Sequence, residues 1–230
     1  MKALLYDIHG NRRALDAVLD DAASAGASSY VLGGDYALFG ARPVEALERL
    51  RALDAEWIRG NGERWTGDPA SAPDTKLIQA AIADCRERLG DRTVAELAAL
   101  DEKMETGGVL FCHASPRSDL ETFMPDESAA DADLLSGIDS RTLVFGHSHL
   151  QFERRRGGHR LVNPGSVGMP FDGDRRAAYA LWRDDGGIEL RRVEYDSGAY
   201  VAELRETLSP SLGEAVETLA RRIEQARFVD

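Results

Sequence analysis

The sequence predicts an α/β protein whose chemistry gathers at the carboxyl ends of its strands. Three observations predict it. Short apolar runs alternate with helix-periodic segments through the first half, which is the signature of βαβ units and mostly parallel strands. The rhythm then changes to closely spaced strands separated by Gly-rich turns. Asp, Asn and His residues, finally, fall directly after the apolar runs, where ligands collect in such sheets.

Residues 2–6 form the first apolar run, and Asp7-Ile8-His9-Gly10-Asn11 follows as a loop. Leu15, Val18, Leu19 and Ala22 then recur at helical spacing up to Gly26. Tyr30-Val31-Leu32 is a second strand closed by Gly33-Gly34-Asp35, and Pro43 opens a helix with Val44, Leu47, Leu50 and Leu53 on one face. Glu56-Trp57-Ile58 reads as a third strand leading into the loop Gly60-Asn61-Gly62-Glu63, and a polar loop covers 66–73. Residues 74–89 and 92–104 read as two helices, a helical insertion at about 74–104 that either caps the site or packs outside it.

Val109-Leu110-Phe111-Cys112 is the fourth strand, followed by His113-Ala114-Ser115-Pro116-Arg117, and 126–136 is a short acidic helix. Thr142-Leu143-Val144-Phe145 delivers Gly146-His147-Ser148-His149. In extended chain residues two apart point the same way, so His147 and His149 face one point while Ser148 turns aside. Strands at 151–155, 160–162, 177–182 and 188–193 form an antiparallel meander making a second sheet, with Asn163-Pro164-Gly165-Ser166-Val167-Gly168 as a tight turn within it. Ala215, Val216, Leu219, Ile223 and Ala226 mark a closing amphipathic helix at about 212–227. The whole of 1–230 reads as a single domain.

Net charge is −12, which opposes stable nucleic-acid binding, because that depends on cationic neutralisation of phosphates. No apolar run approaches the roughly 20 residues that span a bilayer, so no membrane partner is expected. The first residues read as a strand and not a signal peptide. Cys85 and Cys112 are expected as reduced, packed thiols in the cytoplasm.

Asp7, His9, Asp35, Asn61, His113, His147 and His149 come from five separate loops, and all carry metal-ligand chemistry. Four of the five histidines belong to this set, with His159 in a hairpin turn as the remainder. On Asp7-Ile8-His9-Gly10-Asn11, Gly34-Asp35, Gly60-Asn61, His113, Gly146-His147-Ser148-His149 and the 163–168 turn, the chain resembles the calcineurin-like metallophosphoesterases, in their small bacterial and archaeal phosphodiesterase branch. The resemblance implies a four-layer αββα sandwich of two mixed sheets with a two-metal site at the strand ends. It implies that Asp7, His9 and His149 hold one metal, that Asn61, His113 and His147 hold the other, and that Asp35 bridges them. Asp35 and His147 are the ligands on which catalysis would turn. The cofactors implied are two divalent or transition-metal ions, manganese, iron or zinc, sharing a bridging hydroxide. The expected substrate is a small phosphoester, a nucleotide or phosphodiester, cleaved at a phosphodiester or phosphoanhydride bond.

One motif departs from the family. A His commonly follows Gly-Asn and donates a proton to the leaving oxygen, whereas this chain has Gly62. Esters with stable leaving groups are therefore expected to be preferred over simple alkyl monoesters. Glu63 is expected as a solvated or salt-bridged residue, with Arg64 as a partner, and as a substitute acid only if burial raises its pKa. Asn11, Arg64 and Arg117 are candidate substrate-binding residues, with helix capping the alternative for Asn11 and a surface position for each arginine. Gly62 also leaves room for a second function: a catalytically weak scaffold that keeps the fold to bind partners. A protein-phosphatase role is disfavoured, because Gly34-Asp35-Tyr36-Ala37-Leu38-Phe39-Gly40 lacks the acidic-arginine extension of that branch.

Overall fold

A computed structural model describes residues 1–229. Among these described residues ten strands form two five-stranded mixed sheets. The first carries β1 (Lys2–Leu5), β2 (Ser29–Leu32), β3 (Ala55–Trp57), β9 (Ala177–Trp182) and β10 (Ile188–Val193), in the order β10-β9-β1-β2-β3. The second carries β4 (Lys103–Thr106), β5 (Val109–Cys112), β6 (Thr142–Val144), β7 (Phe152–Arg156) and β8 (His159–Asn163), in the order β4-β5-β6-β8-β7. The four-layer αββα sandwich expected from the sequence is the fold observed.

Strand alternation explains the layers, because successive side chains leave opposite faces of a sheet. Leu4 and Tyr6 meet Phe111, Val144 and Val162 between the sheets. Ala3 and Leu5 point outward into a larger cluster with the helices α1 (Arg12–Ser24), α2 (Pro43–Arg51), α4 (Lys76–Ala98), α6 (Ser197–Leu212) and α7 (Val216–Gln225). On the far side Leu110, Leu143, Phe145 and Leu161 pack under Phe123 and the short α5 (Ala130–Leu135). Strands covered on both faces read as continuous apolar runs, which is why β1, β2, β5 and β6 stand out in the sequence.

Several local expectations change. The last four strands are not one meander: β7 and β8 pair antiparallel and β8 then joins β6 in parallel, while β9 and β10 cross back to the first sheet, β9 antiparallel to β1. The strands β5 and β6 likewise belong to the second sheet and do not extend the parallel β1-β2-β3 series. Gly90, at φ 72°, kinks α4, and the helix ends at Ala98, so 103–106 is an edge strand and not the end of a helical insertion. The loop at 60–63 is the start of α3 (Asn61–Gly67), with Gly60 as its N-cap. On α2 the buried face is Pro43, Ala46, Leu47 and Leu50, and Val44 is exposed. The closing helix expected at about 212–227 is α7, Val216–Gln225, and a further helix, α6, precedes it; α6 begins where Asp196 Oδ1 accepts from Ala199 N at 2.8 Å, and it buries Tyr200, Val201, Leu204 and Leu208. Among the described residues no helix is long and apolar enough to cross a membrane.

Phe111 is fully buried between the sheets. Phe111→Ala is expected to lower the free energy of unfolding by about 3–5 kcal/mol, measured by urea denaturation.

Candidate metal centre

The ends of β1, β2, β5 and β6 and the start of α3 bring all seven predicted ligands to one place, and six of them are buried. Backbone hydrogen bonds fix the loops to one another. Asp7 N donates to Gly34 O (3.2 Å), His9 N to Asp35 O (2.9 Å) and Gly146 N to His113 O (2.7 Å), the last within the second sheet. The 163–168 turn clamps loops of both sheets. Asn163 Nδ2 donates to Gly146 O and to Ser148 Oγ, each at 3.0 Å, while Ser166 Oγ donates to Asp7 O at 2.7 Å. Gly168 N donates to Asp7 O at 3.0 Å, and a Cβ at Gly168 would lie 1.9 Å from Ile8 O, so the turn closes only on glycine.

The backbone at the ligands is not extended. Asp7, His9, Asp35, His147 and His149 all lie in the left-handed region, with φ of 54°, 48°, 56°, 66° and 58°. Strand alternation therefore does not make His147 and His149 converge; each is turned individually off the strand end. Left-handed backbone is unfavourable for side chains other than Gly, Asn or Asp, costing on the order of 1–3 kcal/mol each.

Two clusters adjoin. Asp7, His9 and His149 present one ligand atom apiece within 4.8 Å of one another, and so do Asp7, Asp35 and His113. His9 Nδ1 faces Leu38 O at 2.9 Å, His113 Nδ1 faces Gly33 O at 2.8 Å, and His149 Nδ1 faces Met169 O at 2.5 Å. A carbonyl accepts only, so each ring carries a proton on Nδ1 and turns Nε2 inward, and in neutral His9 and His149 that inward nitrogen is a lone pair. His9 Nε2 and His149 Nε2 then stand 3.2 Å apart, two lone pairs facing each other. Asp7 Oδ1 lies 3.6 Å from His149 Nε2 and 3.9 Å from His113 Nε2, buried and without a hydrogen-bond donor. Asp35 reaches both clusters, Oδ2 at 3.8 Å from His9 Nε2 and Oδ1 at 3.6 Å from His113 Nε2. With its amide nitrogen turned inward, Asn61 donates to His113 Nε2 (3.0 Å) and His147 Nδ1 (2.9 Å); a half turn presents Oδ1 instead. A divalent cation fits this donor set, because acceptors facing acceptors are stable only around positive charge.

The proton affinities follow from the same crowding. Burial pushes the Asp7 carboxyl up, with Asp35 adding to the rise. Burial lowers His9, and it lowers His149 further with His9 close by. His147 falls to about 4 through burial and the neighbouring His113. Burial lowers His113 too, but the carboxylates of Asp35 and Asp7 outweigh it and raise this ring. Asp35 is held low against burial by His113, His9 and the Gly62 N–H.

Glu63 is neither solvated nor paired with Arg64. It is buried, and its carboxylate accepts from Asp35 N (2.8 Å), Gly60 N (2.9 Å) and Tyr36 N (2.8 Å), which ties the Asp35 loop to the start of α3. Burial, then Asp35, raises its pKa to about 7. With both oxygens held by backbone donors, Glu63 positions the loop and has no path to a leaving group.

A cavity of about 710 Å³ opens over the centre and is walled mainly by apolar side chains, Phe39, Trp65, Ile78, Met124, Phe171 and Phe228 among them. The first turn of α4 forms part of the wall, so the start of the helical segment does border the site. The three candidate substrate residues lie outside it. Asn11 is fully buried, accepting from Ala14 N at 3.0 Å to cap α1 and donating to Gly168 O at 2.9 Å. Arg64 forms a two-pronged pair with Asp119 at 2.6 and 2.8 Å, and Arg117 donates to Ser136 O at 2.7 Å. His159 Nδ1 faces Ser140 O, away from the centre. Sequence reasoning missed Phe171, whose ring stacks on His149 at 4.4 Å, and Phe228, which meets Phe171 edge-on at 5.7 Å. No local pattern marks either; they are found only once the chain is folded.

Comparison with known proteins agrees with this geometry. A family model described as the calcineurin-like phosphoesterase superfamily domain matches residues 1–185. An uncharacterized protein of Methanocaldococcus jannaschii is 31% identical over 239 residues, covering 93% of this chain and 96% of its own. The crystal structure of a metallophosphoesterase from Sphaerobacter thermophilus superposes with a TM-score of 0.82 at 25% identity, covering 98% of each chain. That of a hypothetical protein from Pyrococcus horikoshii OT3 gives 0.80 at 21% identity over 95% of this chain and 98% of its own. Buried imidazoles and carboxylates gathered at strand ends are the equipment of metal-assisted phosphoester hydrolysis, and with the family match over most of its length the chain belongs to the calcineurin-like phosphoesterase superfamily as a metallophosphoesterase.

Proposed function

We propose that the protein hydrolyses small phosphodiesters at a centre of two divalent cations. The observation that carries this reading is the pair of adjoining ligand clusters that share Asp7 and open on one cavity. Asp7, His9 and His149 would hold one cation; Asn61, His113 and His147 would hold the other. Asp35 would lie between them, consistent with its two oxygens reaching toward opposite clusters. When bound, such cations polarise phosphoryl oxygens and make water nucleophilic at neutral pH. Manganese, iron or zinc suits the mixture of imidazole and carboxylate. The buried, unbridged thiols of Cys85 and Cys112 fit a reducing compartment such as the cytoplasm.

The chain's own residues orient the centre and shape the choice of ester. Glu63 holds the Asp35 loop, the carbonyls of Leu38, Gly33 and Met169 fix three imidazoles, and His147 N donates to Asp7 Oδ2 at 3.0 Å. Gly62 N donates to Asp35 Oδ1 at 2.7 Å, and a Cβ at Gly62 would lie 2.8 Å from that oxygen, so a side chain there displaces Asp35. Among the described residues lining the cavity, the titratable side chains are ligands of the centre and Arg222. A leaving oxygen thus meets no protein acid besides them, which supports a preference for leaving groups that depart without a proton.

Four outcomes test this reading. Manganese-loaded protein should turn over bis(p-nitrophenyl) phosphate. Chelation, or His147→Ala, should lower kcat/KM by at least ~100-fold, since even residues that merely orient a ligand are worth about 10–100-fold. Asp7→Asn should raise the Tm of the metal-free protein at neutral pH, because folding no longer has to desolvate and protonate a carboxyl that burial pushes up to about 8 while asparagine tolerates left-handed backbone, and should abolish the rise in Tm on adding manganese. Glu63→Gln should cost on the order of 1–3 kcal/mol in urea unfolding, by setting an amide against backbone N–H donors, and should weaken manganese binding measured by calorimetry.

A further inference from the structure

Exposed large apolar side chains are few, and they are not scattered. Among the described residues they are Val44, Leu120, Met124 and Phe228. Three of these four, Leu120, Met124 and Phe228, line the cavity over the metal centre, although they come from segments more than 100 residues apart. A clustered apolar rim on an otherwise acidic surface marks a binding site. Deeper in, the Phe171 ring lies flat on His149, and Phe39 and Trp65 complete an aromatic wall around the ligands.

The C-terminal residues are held in this position. Ala226 takes a left-handed φ of 48° and turns the chain off α7. Gly173 N donates to Ala226 O at 2.9 Å, which pins the turn to the loop that carries Phe171. Phe228, 62% exposed, then meets Phe171 edge-on, and the Arg222 guanidinium lies 4.3 Å from the Phe228 ring centre.

Polar groups in the walls besides the candidate ligands are few, and each hydroxyl has a hydrogen-bond partner, Arg221 donating to Thr218 Oγ1 at 3.3 Å. Thr122 Oγ1 donates to Ala114 O (3.0 Å), Ser148 Oγ accepts from Asn163 (3.0 Å), and Thr75 Oγ1 accepts from Ile78 N (3.3 Å). Arg222, the one cationic side chain in the lining among the described residues, also donates to Val229 O at 2.9 Å. Two divalent cations against the carboxylates of Asp7 and Asp35 and the attacking hydroxide would leave about one positive charge at the centre. That matches one phosphodiester and not a chain of phosphates, and the walls offer mainly apolar surface to the second ester arm.

We propose that this cavity selects esters of a single phosphate whose non-leaving arm is a bulky apolar ring, seated against Phe228, Met124 and Leu120. The inference rests on the hydrolytic reading above and narrows its substrate class. Phe228 is then a specificity-determining residue supplied by the C-terminal turn.

The test uses the manganese-loaded full chain and two diesters with the same leaving group, phenyl p-nitrophenyl phosphate and methyl p-nitrophenyl phosphate. The phenyl ester should be favoured in kcat/KM by ~10-fold or more, in the range that apolar pockets deliver. Phe228→Ala should cut that preference by ~5-fold, chiefly through KM, and Phe228→Leu should restore most of it. Met124→Ala, on a separate segment, should lower it in the same direction. Calorimetry with diphenyl phosphate and dimethyl phosphate reads the arm independently of turnover. Tighter diphenyl binding without hydrolysis of any ester would sustain the cavity's selectivity while refuting the hydrolytic reading. Hydrolysis with equal preference for the two arms, or a preference unmoved by Phe228→Ala, would overturn the inference and leave hydrolysis standing. A dinucleoside tetraphosphate that binds more tightly than diphenyl phosphate would overturn it as well.

Discussion

Asp7 Oδ1 sits in the interior with no hydrogen-bond donor, and its neighbours at 3.6 and 3.9 Å are the Nε2 atoms of His149 and His113, beyond hydrogen-bond reach. A buried acceptor normally has a partner, and leaving one unmade costs about 1–3 kcal/mol. Here His9 and His149 add a second pair of opposed lone pairs at 3.2 Å. The surrounding fold exists to hold these groups together against their mutual repulsion. Loops of both sheets are cross-clamped by the 163–168 turn, three carbonyls lock three rings, and Glu63 fastens the Asp35 loop.

The same constraint accounts for the backbone. Five candidate ligands in the left-handed region are improbable by propensity and persist only where neighbours over-determine them. The neighbours here are backbone N–H and C=O groups of adjoining loops, whose own geometry depends on the two sheets lying face to face. Strain and ligand placement are therefore one feature: turning each residue off its strand end is what lets separate loops aim at a common point.

How much of this was legible in the sequence follows from which forces are local. Strands buried on both faces write themselves as unbroken apolar runs, so β1, β2, β5 and β6 and the ligands after them could be read directly. Asp7, His9, Asp35, Asn61, His113, His147 and His149 were legible as chemistry, since four histidines at loop starts are hard to place otherwise. Sheet membership was not, because β7 to β10 carry the same alternation whichever sheet they join. The helix α3 was hidden by the glycines of Gly60-Asn61-Gly62, which suit a turn as well as a helix start. The helix α6 writes itself in Tyr200, Val201, Leu204 and Leu208, apolar at helical spacing and all buried, a signal as local as that of α1. Glu63 looked like a surface acid because only the fold supplies its three donors. Phe171 and Phe228 gain meaning solely from a contact between distant segments.

The crossing of β9 back to β1 bears on how the molecule comes into being. Leu4 pairs with Ala180, and the 166–168 segment must arrive before the Asp7 loop is clamped. During synthesis the first strand therefore waits, one edge open, until nearly four-fifths of the chain has emerged, and such long-range pairing is slow to form. The cluster of Asp7, His9 and His149 is thus a product of long-range pairing: the first 35 residues carry Asp7, His9 and Asp35, but only contacts with residues beyond 145 set the geometry around them.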